Sequence, residues 1–94
     1  MPMFTVRVEL RGSDWDTYNK LHEKMKEHGY SREITGDDGV SYQLPDAEYV
    51  GENNLNALQV REQVFGIANA LNIHPHVLVS ETLRWSWQLP KARR

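Results

Sequence analysis

The chain has 94 residues, of which 39% are hydrophobic and 26% are charged, and its formal net charge is −2. These values predict one domain with a modest core, and no apolar run approaches the roughly 20 residues that a membrane span needs. The sequence contains no cysteine, which excludes disulfides, thiolate metal sites and cysteine nucleophiles, and its acidic balance argues against nucleic-acid binding by a broad basic surface.

The first predicted elements are a strand and a helix. Apolar and polar residues alternate along FTVRVEL, which is the pattern of a half-buried strand and not of a signal peptide. Ser13 is a suitable N-cap, and an apolar stripe at helical spacing runs from Trp15 to Met25. Trp15 either stacks on bases or is the first core residue of this helix, and we favour the core position. Gly29 is placed to end the helix in a left-handed conformation.

Two strands are predicted next, over 30–35 and 40–44, joined by the turn Gly36-Asp37-Asp38-Gly39. Glycine and aspartate tolerate the positive φ of tight hairpins, so the turn accounts for both aspartates without a bound metal ion. Pro45 interrupts the ladder, and extended chain resumes at about Ala47. We expect the segment 51–54 to be a loop.

A second helix is predicted from about residue 55 or 57 to residue 71. Gly66 lies inside it and costs roughly 1 kcal/mol against alanine, which close packing on the sheet would explain. The apolar run Val77-Leu78-Val79 then indicates a strand over 76–81. Trp85 and Trp87 share one face of a further short strand before Pro90.

Together these elements predict an α+β, ferredoxin-like βαββαβ fold, in which an antiparallel sheet carries two helices on one face. The chain forms a single domain over 1–94, with a core at about 3–82 and a C-terminal extension at 83–94. The other face of the sheet is then bare. A bare face indicates a dimer partner, a ligand or a mostly polar surface.

Several side chains are candidates for function. Arg7 projects from the open side of the sheet, and Arg32 has no fixed direction; each either contacts a phosphate or oxyanion or forms a cross-strand ion pair, such as Arg7 with Glu33. Trp85 and Trp87 either stack on bases or form a protein interface, and we favour a homodimer contact.

Three segments, FTVRVEL, WDTYNKLHEKMKEHGYSR and ITGDDGVSYQLPDAEY, resemble the endoribonuclease antitoxins of type V toxin–antitoxin systems. The resemblance covers about residues 3–50. It implies a ferredoxin-like fold similar to the small nucleases of CRISPR adaptation, cleavage of the messenger RNA of a membrane toxin, and a phosphate-contacting or catalytic role for Arg32. Those CRISPR nucleases carry an aspartate at the end of the first strand, where this chain has Leu10-Arg11-Gly12, so two-metal hydrolysis is not expected.

Two functions follow as hypotheses. The first is a cytoplasmic, homodimeric, antitoxin-like RNA-binding protein, with sequence-selective endoribonuclease activity on toxin mRNA. Its RNA-binding candidates are Arg7, Arg11 and Arg32, and its catalytic candidates are Arg32, Tyr42 and His22. The second is a non-enzymatic module of a prophage or mobile element that binds a host or phage protein. Neither hypothesis calls for a cofactor, a metal ion or a membrane.

Overall fold

The computed structural model describes residues 1–72 and 74–92, so the last two residues of the predicted C-terminal extension lie outside the described residues. The described residues form five strands and two helices. In chain order these are β1 (Met3–Glu9), α1 (Trp15–Glu27), β2 (Glu33–Thr35), β3 (Ser41–Gln43), β4 (Glu48–Glu52), α2 (Ala57–Asn69) and β5 (His76–Glu81). No helix in this part of the chain is long and apolar enough to cross a bilayer.

The strands form a central antiparallel sheet and a hairpin. The central sheet has the order β4-β1-β5, and β2 pairs with β3. An isolated antiparallel bridge between Ser31 and Val50 joins the segment just before β2 to β4. The order β5-β1-β4-β2 that results is the arrangement of a ferredoxin-like sheet. The α+β, ferredoxin-like fold predicted from the sequence is therefore confirmed.

Strand β4, which pairs with β1, extends further along the chain than the sequence predicted. β4 includes Gly51 and Glu52, so the loop predicted over 51–54 was wrong at these two residues, whereas Asn53 and Asn54 lie outside helix and strand as predicted. A Cβ on Gly51 would lie 2.7 Å from both the Gly29 carbonyl oxygen and Cδ1 of Tyr30. Gly51 therefore serves close packing inside a strand and does not mark a turn.

The main core lies between the helices and one face of the central sheet. Phe4, Val6 and Val8 alternate with more exposed residues along β1. Both helices contribute to the same buried cluster, whose members are Phe4, Val6, Val8, Leu10, Leu21, Met25, Tyr30, Tyr49, Val60, Val64 and Ala68. The alternation in FTVRVEL thus marks a strand with one buried face, as predicted.

Helix α1 begins one residue later than predicted. Its N-cap is Asp14, whose Oδ1 accepts hydrogen bonds from the Thr17 amide at 3.0 Å and the Thr17 hydroxyl at 2.9 Å. Trp15 is 78% exposed, so its predicted core position was wrong. Tyr18, one turn later, packs against the core instead, and its hydroxyl accepts from the Leu10 amide at 2.9 Å.

The prediction for Gly29 is confirmed, whereas the explanation predicted for Gly66 is not. Gly29 has a φ of 89° just after α1, and this confirms that it ends the helix in a left-handed conformation. Gly66 is exposed, and a Cβ there would have no described atom within 4 Å outside its own helix and chain neighbours. Close packing on the sheet therefore does not explain Gly66. Helix α2 is instead stabilised at its start by a capping box between Asn56 and Gln59.

The segment after β5 folds back across the hairpin. The Gln43 amide donates to the Pro90 carbonyl at 2.8 Å, and the Ala92 amide donates to the Ser41 carbonyl at 3.0 Å. A second apolar cluster forms beneath this segment from Ile34, Leu44 and Val50, packed with Met3, Tyr42, Trp87 and Leu89. The further strand predicted at Trp85 and Trp87 is not formed, because the segment pairs with β3 only at Lys91.

Candidate functional site

A cavity of about 360 Å³ opens beside the first half of α1. It is enclosed by α1, by the segment just before β2, and by the turn between β3 and β4. The residues that line it are Ser13, Asp14, Trp15, Tyr18, His22, Arg32, Asp46 and Ala47. Ala47 has a φ of 64°, and its carbonyl accepts from the Val8 amide at 3.0 Å. The turn that carries Asp46 is therefore tied to β1.

A second cavity of about 700 Å³ adjoins the first, and His22 and Arg32 line both. The second cavity adds Lys26, one turn further along α1. We call the two cavities together the α1 groove, defined by Trp15, His22, Lys26, Arg32 and Asp46. The groove thus runs beside α1 from its first residue to its last turn, with a histidine and an arginine at its centre.

His22 contacts a residue of the hydrophobic core. Its Nδ1 lies 2.6 Å from the hydroxyl oxygen of Tyr49, a fully buried residue of β4. Burial lowers the pKa of His22 below its ordinary value, the positive charge of Arg32 lowers the pKa further, and the carboxylate of Asp46 raises it. His22 is therefore neutral at pH 7, as a general base must be before it accepts a proton.

Tyr49 keeps its proton. Burial, as the largest cause, raises the pKa of Tyr49 well above its ordinary value. The hydroxyl can either donate to His22 Nδ1 or accept from it, depending on the imidazole tautomer. When Nδ1 carries the proton and donates to Tyr49, Nε2 is the basic nitrogen. Nε2 makes no hydrogen bond with any residue that the structure describes.

Arg32 presents a cation to the same space. It is half-buried, and among the described residues no carboxylate lies within salt-bridge distance of its guanidinium. Its carbonyl accepts from the Leu44 amide at 2.9 Å and from Gln43 Nε2 at 3.1 Å. The backbone of Arg32 is thus fixed by β3, while the guanidinium is available to an anion in the groove.

The other predicted RNA-binding residues lie outside the groove lining. Arg7 is on the face of β1 opposite the core, and its Nη1 lies 3.8 Å from Glu48 Oε1. This contact corrects the alternative that paired Arg7 with Glu33, because Glu48 is the residue opposite Arg7 in the sheet register. Arg11 is exposed in the turn after β1 and lines neither cavity.

The remaining candidates gather at the hairpin. The Tyr42 hydroxyl donates to Asp38 Oδ2 at 3.2 Å, and the ring of Tyr42 lies 5.9 Å from that of Trp87. Trp87 is half-buried against its own chain, whereas Trp85 is 39% exposed. Of the predicted catalytic residues, the α1 groove brings together His22 and Arg32, and Tyr42 lies elsewhere.

Sequence reasoning missed Lys26 and Asp46 in the groove and Tyr49 behind His22, and it favoured a core position for Trp15 over base stacking. Trp15 is the first residue of α1, directly after the N-cap Asp14, and its side chain is exposed there. The contact between Tyr49 and His22 depends on the position of β4, which the sequence alone did not give. Residues 1–72 and 74–92 contain no group of three or more histidine, cysteine, aspartate or glutamate side chains that could hold a metal ion.

The chain has no match among protein-family models and no significant match among curated proteins. Membership of the antitoxin family therefore stays a prediction from the short sequence segments that resemble it.

Proposed function

We propose that the protein binds single-stranded RNA in the α1 groove and cleaves it in a sequence-selective manner. The observation that carries this proposal is the shared position of His22 and Arg32: a neutral imidazole and a guanidinium without a salt bridge among the described residues line the same two cavities. Metal-independent RNA cleavage needs this pairing of a proton acceptor with a charge stabiliser.

RNA binding rests on the chemistry along the groove. Arg32 and Lys26 supply cations for phosphates, and the exposed ring of Trp15 offers a face on which an unpaired base stacks. The carboxylate of Asp46 accepts hydrogen bonds from amino groups on a base edge. Asp46 lines the same cavity as Trp15, so a hydrogen bond from a base edge to Asp46 would favour some stacked bases over others and supports selectivity for sequence.

The cleavage step uses the 2′-hydroxyl of the RNA as the nucleophile. Nε2 of His22 takes the hydroxyl proton, the 2′-oxygen bonds to the adjacent phosphorus, and the bond from phosphorus to the 5′-oxygen breaks. Arg32 stabilises the negative charge on the phosphoryl oxygens, and water protonates the departing 5′-oxygen. The products are a 2′,3′-cyclic phosphate and a 5′-hydroxyl. His22 then returns its proton to the solvent.

The biological role follows from the sequence resemblance over about residues 3–50. We propose an antitoxin that acts in the cytoplasm on the messenger RNA of a membrane toxin, as a homodimer.

A second candidate is a non-enzymatic module that binds a host or phage protein. It is favoured by β5, which pairs only with β1 among the described strands and leaves its other edge unpaired. Leu78, in the middle of β5, is 65% exposed. An extended segment of a partner could add a strand at this edge.

The experiment that tests RNA binding compares two arginine variants. The fluorescence anisotropy of a labelled single-stranded RNA pool is measured with the wild type, Arg32→Ala and Arg7→Ala. We expect Arg32→Ala to weaken binding by about tenfold, the effect of one charge-assisted contact. Arg7→Ala removes an identical charge on the opposite face and should change the affinity less than about twofold. No binding by the wild type, or equal losses in both variants, would contradict the proposal.

A further inference from the structure

A third cavity, separate from the α1 groove, lies between the β2–β3 hairpin and the segment that folds back over it. Its volume is about 460 Å³. It is lined by Thr35, Gly36, Asp37, Asp38, Tyr42, Trp85 and Trp87, none of which lines the α1 groove. Three aromatic rings and two carboxylates thus share one cavity, although 48 positions separate Asp37 from Trp85 in the sequence.

The three rings form an angled wall. The centroids of Tyr42 and Trp87 are 5.9 Å apart with an interplanar angle of 55°, and those of Trp85 and Trp87 are 6.2 Å apart at 75°. Rings set at such angles do not stack flat on one another. This arrangement can surround a flat or compact ligand on more than one side.

Gly36 keeps the cavity open next to the rings. A Cβ at this position would lie 3.5 Å from Cζ2 of Trp87, 3.7 Å from Cε2 of Tyr42 and 3.0 Å from Oδ1 of Asp38. Any larger side chain would therefore occupy the space between the carboxylate and the two rings.

The charges in the cavity have one sign. Asp37 and Asp38 are the charged residues in its lining, and neither forms a salt bridge with a residue in the described ranges. Asp38 is fixed in place, because its Oδ1 accepts from the Val40 amide at 2.9 Å and its Oδ2 accepts from the Tyr42 hydroxyl. Asp37 is exposed at the tip of the hairpin. The cavity therefore offers negative charge beside aromatic faces, which is the combination that binds cations.

We infer that this cavity binds an organic cation, and specifically the guanidinium of an arginine side chain on a partner peptide or protein. A planar guanidinium stacks on an indole face and pairs with a carboxylate through two parallel hydrogen bonds. An alkylammonium group would gain only the contact of a point charge. Trp85 and Trp87 share the cavity with the carboxylate of Asp37, and this combination favours arginine over lysine.

The test is an NMR titration of the protein with Nα-acetyl-arginine amide, followed through the three indole N–H signals. We expect the signals of Trp85 and Trp87 to shift and saturate with a dissociation constant in the low millimolar range, on the order of 1–10 mM for one small ligand. The signal of Trp15, which lies in the α1 groove, should not move. Nα-acetyl-lysine amide should bind at least about threefold more weakly.

A matched pair of variants distinguishes a specific role of Asp37 from a general effect of negative charge on the protein. Asp37→Asn should weaken arginine binding at least about threefold, whereas Asp46→Asn, an equal change of charge in the α1 groove, should leave it unchanged. Both residues are exposed, so neither change should prevent folding. The inference is contradicted if the signals of Trp85 and Trp87 do not saturate below about 50 mM ligand, if Asp37→Asn has no effect, or if the lysine compound binds equally well. None of these results depends on RNA binding.

Discussion

The Tyr49 hydroxyl lies 2.6 Å from Nδ1 of His22, and this contact joins the core of the sheet to the α1 groove. Tyr49 is fully buried and stands opposite Val6 in the register of β4 and β1. The position of the imidazole is therefore set by strand pairing, as well as by its own helix. A change in the sheet at Tyr49 should consequently alter the chemistry of the groove.

The pKa of His22 is the first quantity to measure. By NMR titration it should lie below 6.5, because burial and the charge of Arg32 both disfavour the protonated ring. Arg32→Ala should raise the pKa of His22 without restoring it to 6.5, since burial is the larger cause. Asp46→Asn should lower the pKa of His22 further. A pKa of His22 above 6.5, or a decrease in Arg32→Ala, would contradict the described geometry.

The same pKa shift makes stability depend on pH in a defined direction. The pKa of His22 is lower in the folded state than the ordinary 6.5, so the unfolded chain binds more protons as the pH falls through this value. The contribution of His22 to the free energy of unfolding is therefore complete above pH 6.5 and decreases below it, until the folded-state pKa is reached. We therefore expect the free energy of unfolding, measured by urea denaturation between about pH 5 and pH 7.5, to decrease less with falling pH in His22→Gln than in the wild type.

Tyr49→Phe tests the hydrogen bond apart from the packing. The ring stays in the core, while the hydroxyl that contacts His22 is lost. We expect the free energy of unfolding to decrease by about 1 kcal/mol, measured by urea denaturation. The pH profile of RNA cleavage should also shift, because the substitution removes the partner of Nδ1. Unchanged stability together with an unchanged pH profile would show that the contact has no role.

Gly51 and Gly66 form a matched pair for the packing argument. Gly51→Ala puts a Cβ 2.7 Å from the Gly29 carbonyl oxygen, and we expect a loss of about 3 kcal/mol because backbone must move. Gly66→Ala introduces no clash with a described atom and should increase stability by about 0.5–1 kcal/mol through helix propensity. The midpoints of thermal unfolding should therefore move in opposite directions. Similar effects of the two substitutions would contradict the packing described at Gly51.

Trp85 and Trp87 should differ in their contribution to stability. Trp87 is half-buried in the second apolar cluster, so Trp87→Ala should cost roughly 2 kcal/mol, less than the full cost for a buried tryptophan. Trp85 is more exposed, so Trp85→Ala should cost less than about 0.5 kcal/mol. Denaturant unfolding of both variants measures the difference. Equal costs would mean that the segment after β5 is not held on the hairpin by Trp87.

The features predicted correctly from the sequence depend on local chemistry. The alternation in FTVRVEL and the glycine that ends α1 are set by neighbours in the chain, and both predictions were confirmed. The order of helices and strands was enough to predict the ferredoxin-like fold class, because right-handed crossover connections allow few other topologies for that order. The strand β4 was missed in part because Gly51 indicates a loop unless the position of Tyr30 is known.

The candidate site was less predictable for a different reason. His22 and Arg32 are 10 positions apart on separate elements, and β2 is too short for its alternation to fix the direction of Arg32. Asp46 reaches the groove through a turn in which Ala47 has a positive φ, a conformation that alanine rarely adopts. Residue types could thus nominate His22 and Arg32, whereas their proximity depends on tertiary structure.

The central claim is that His22 and Arg32 act together on RNA, and end-group analysis of cleaved RNA tests it most directly. Purified wild type, His22→Ala, Arg32→Ala and the control Arg7→Ala are incubated with total RNA, with and without EDTA. We predict cleavage by the wild type and Arg7→Ala under both conditions, with 2′,3′-cyclic phosphate ends, and a loss of at least about 100-fold in rate for His22→Ala and Arg32→Ala. Intact RNA with the wild type, equal cleavage by all four proteins, or EDTA-sensitive cleavage that leaves 5′-phosphate ends would contradict the claim.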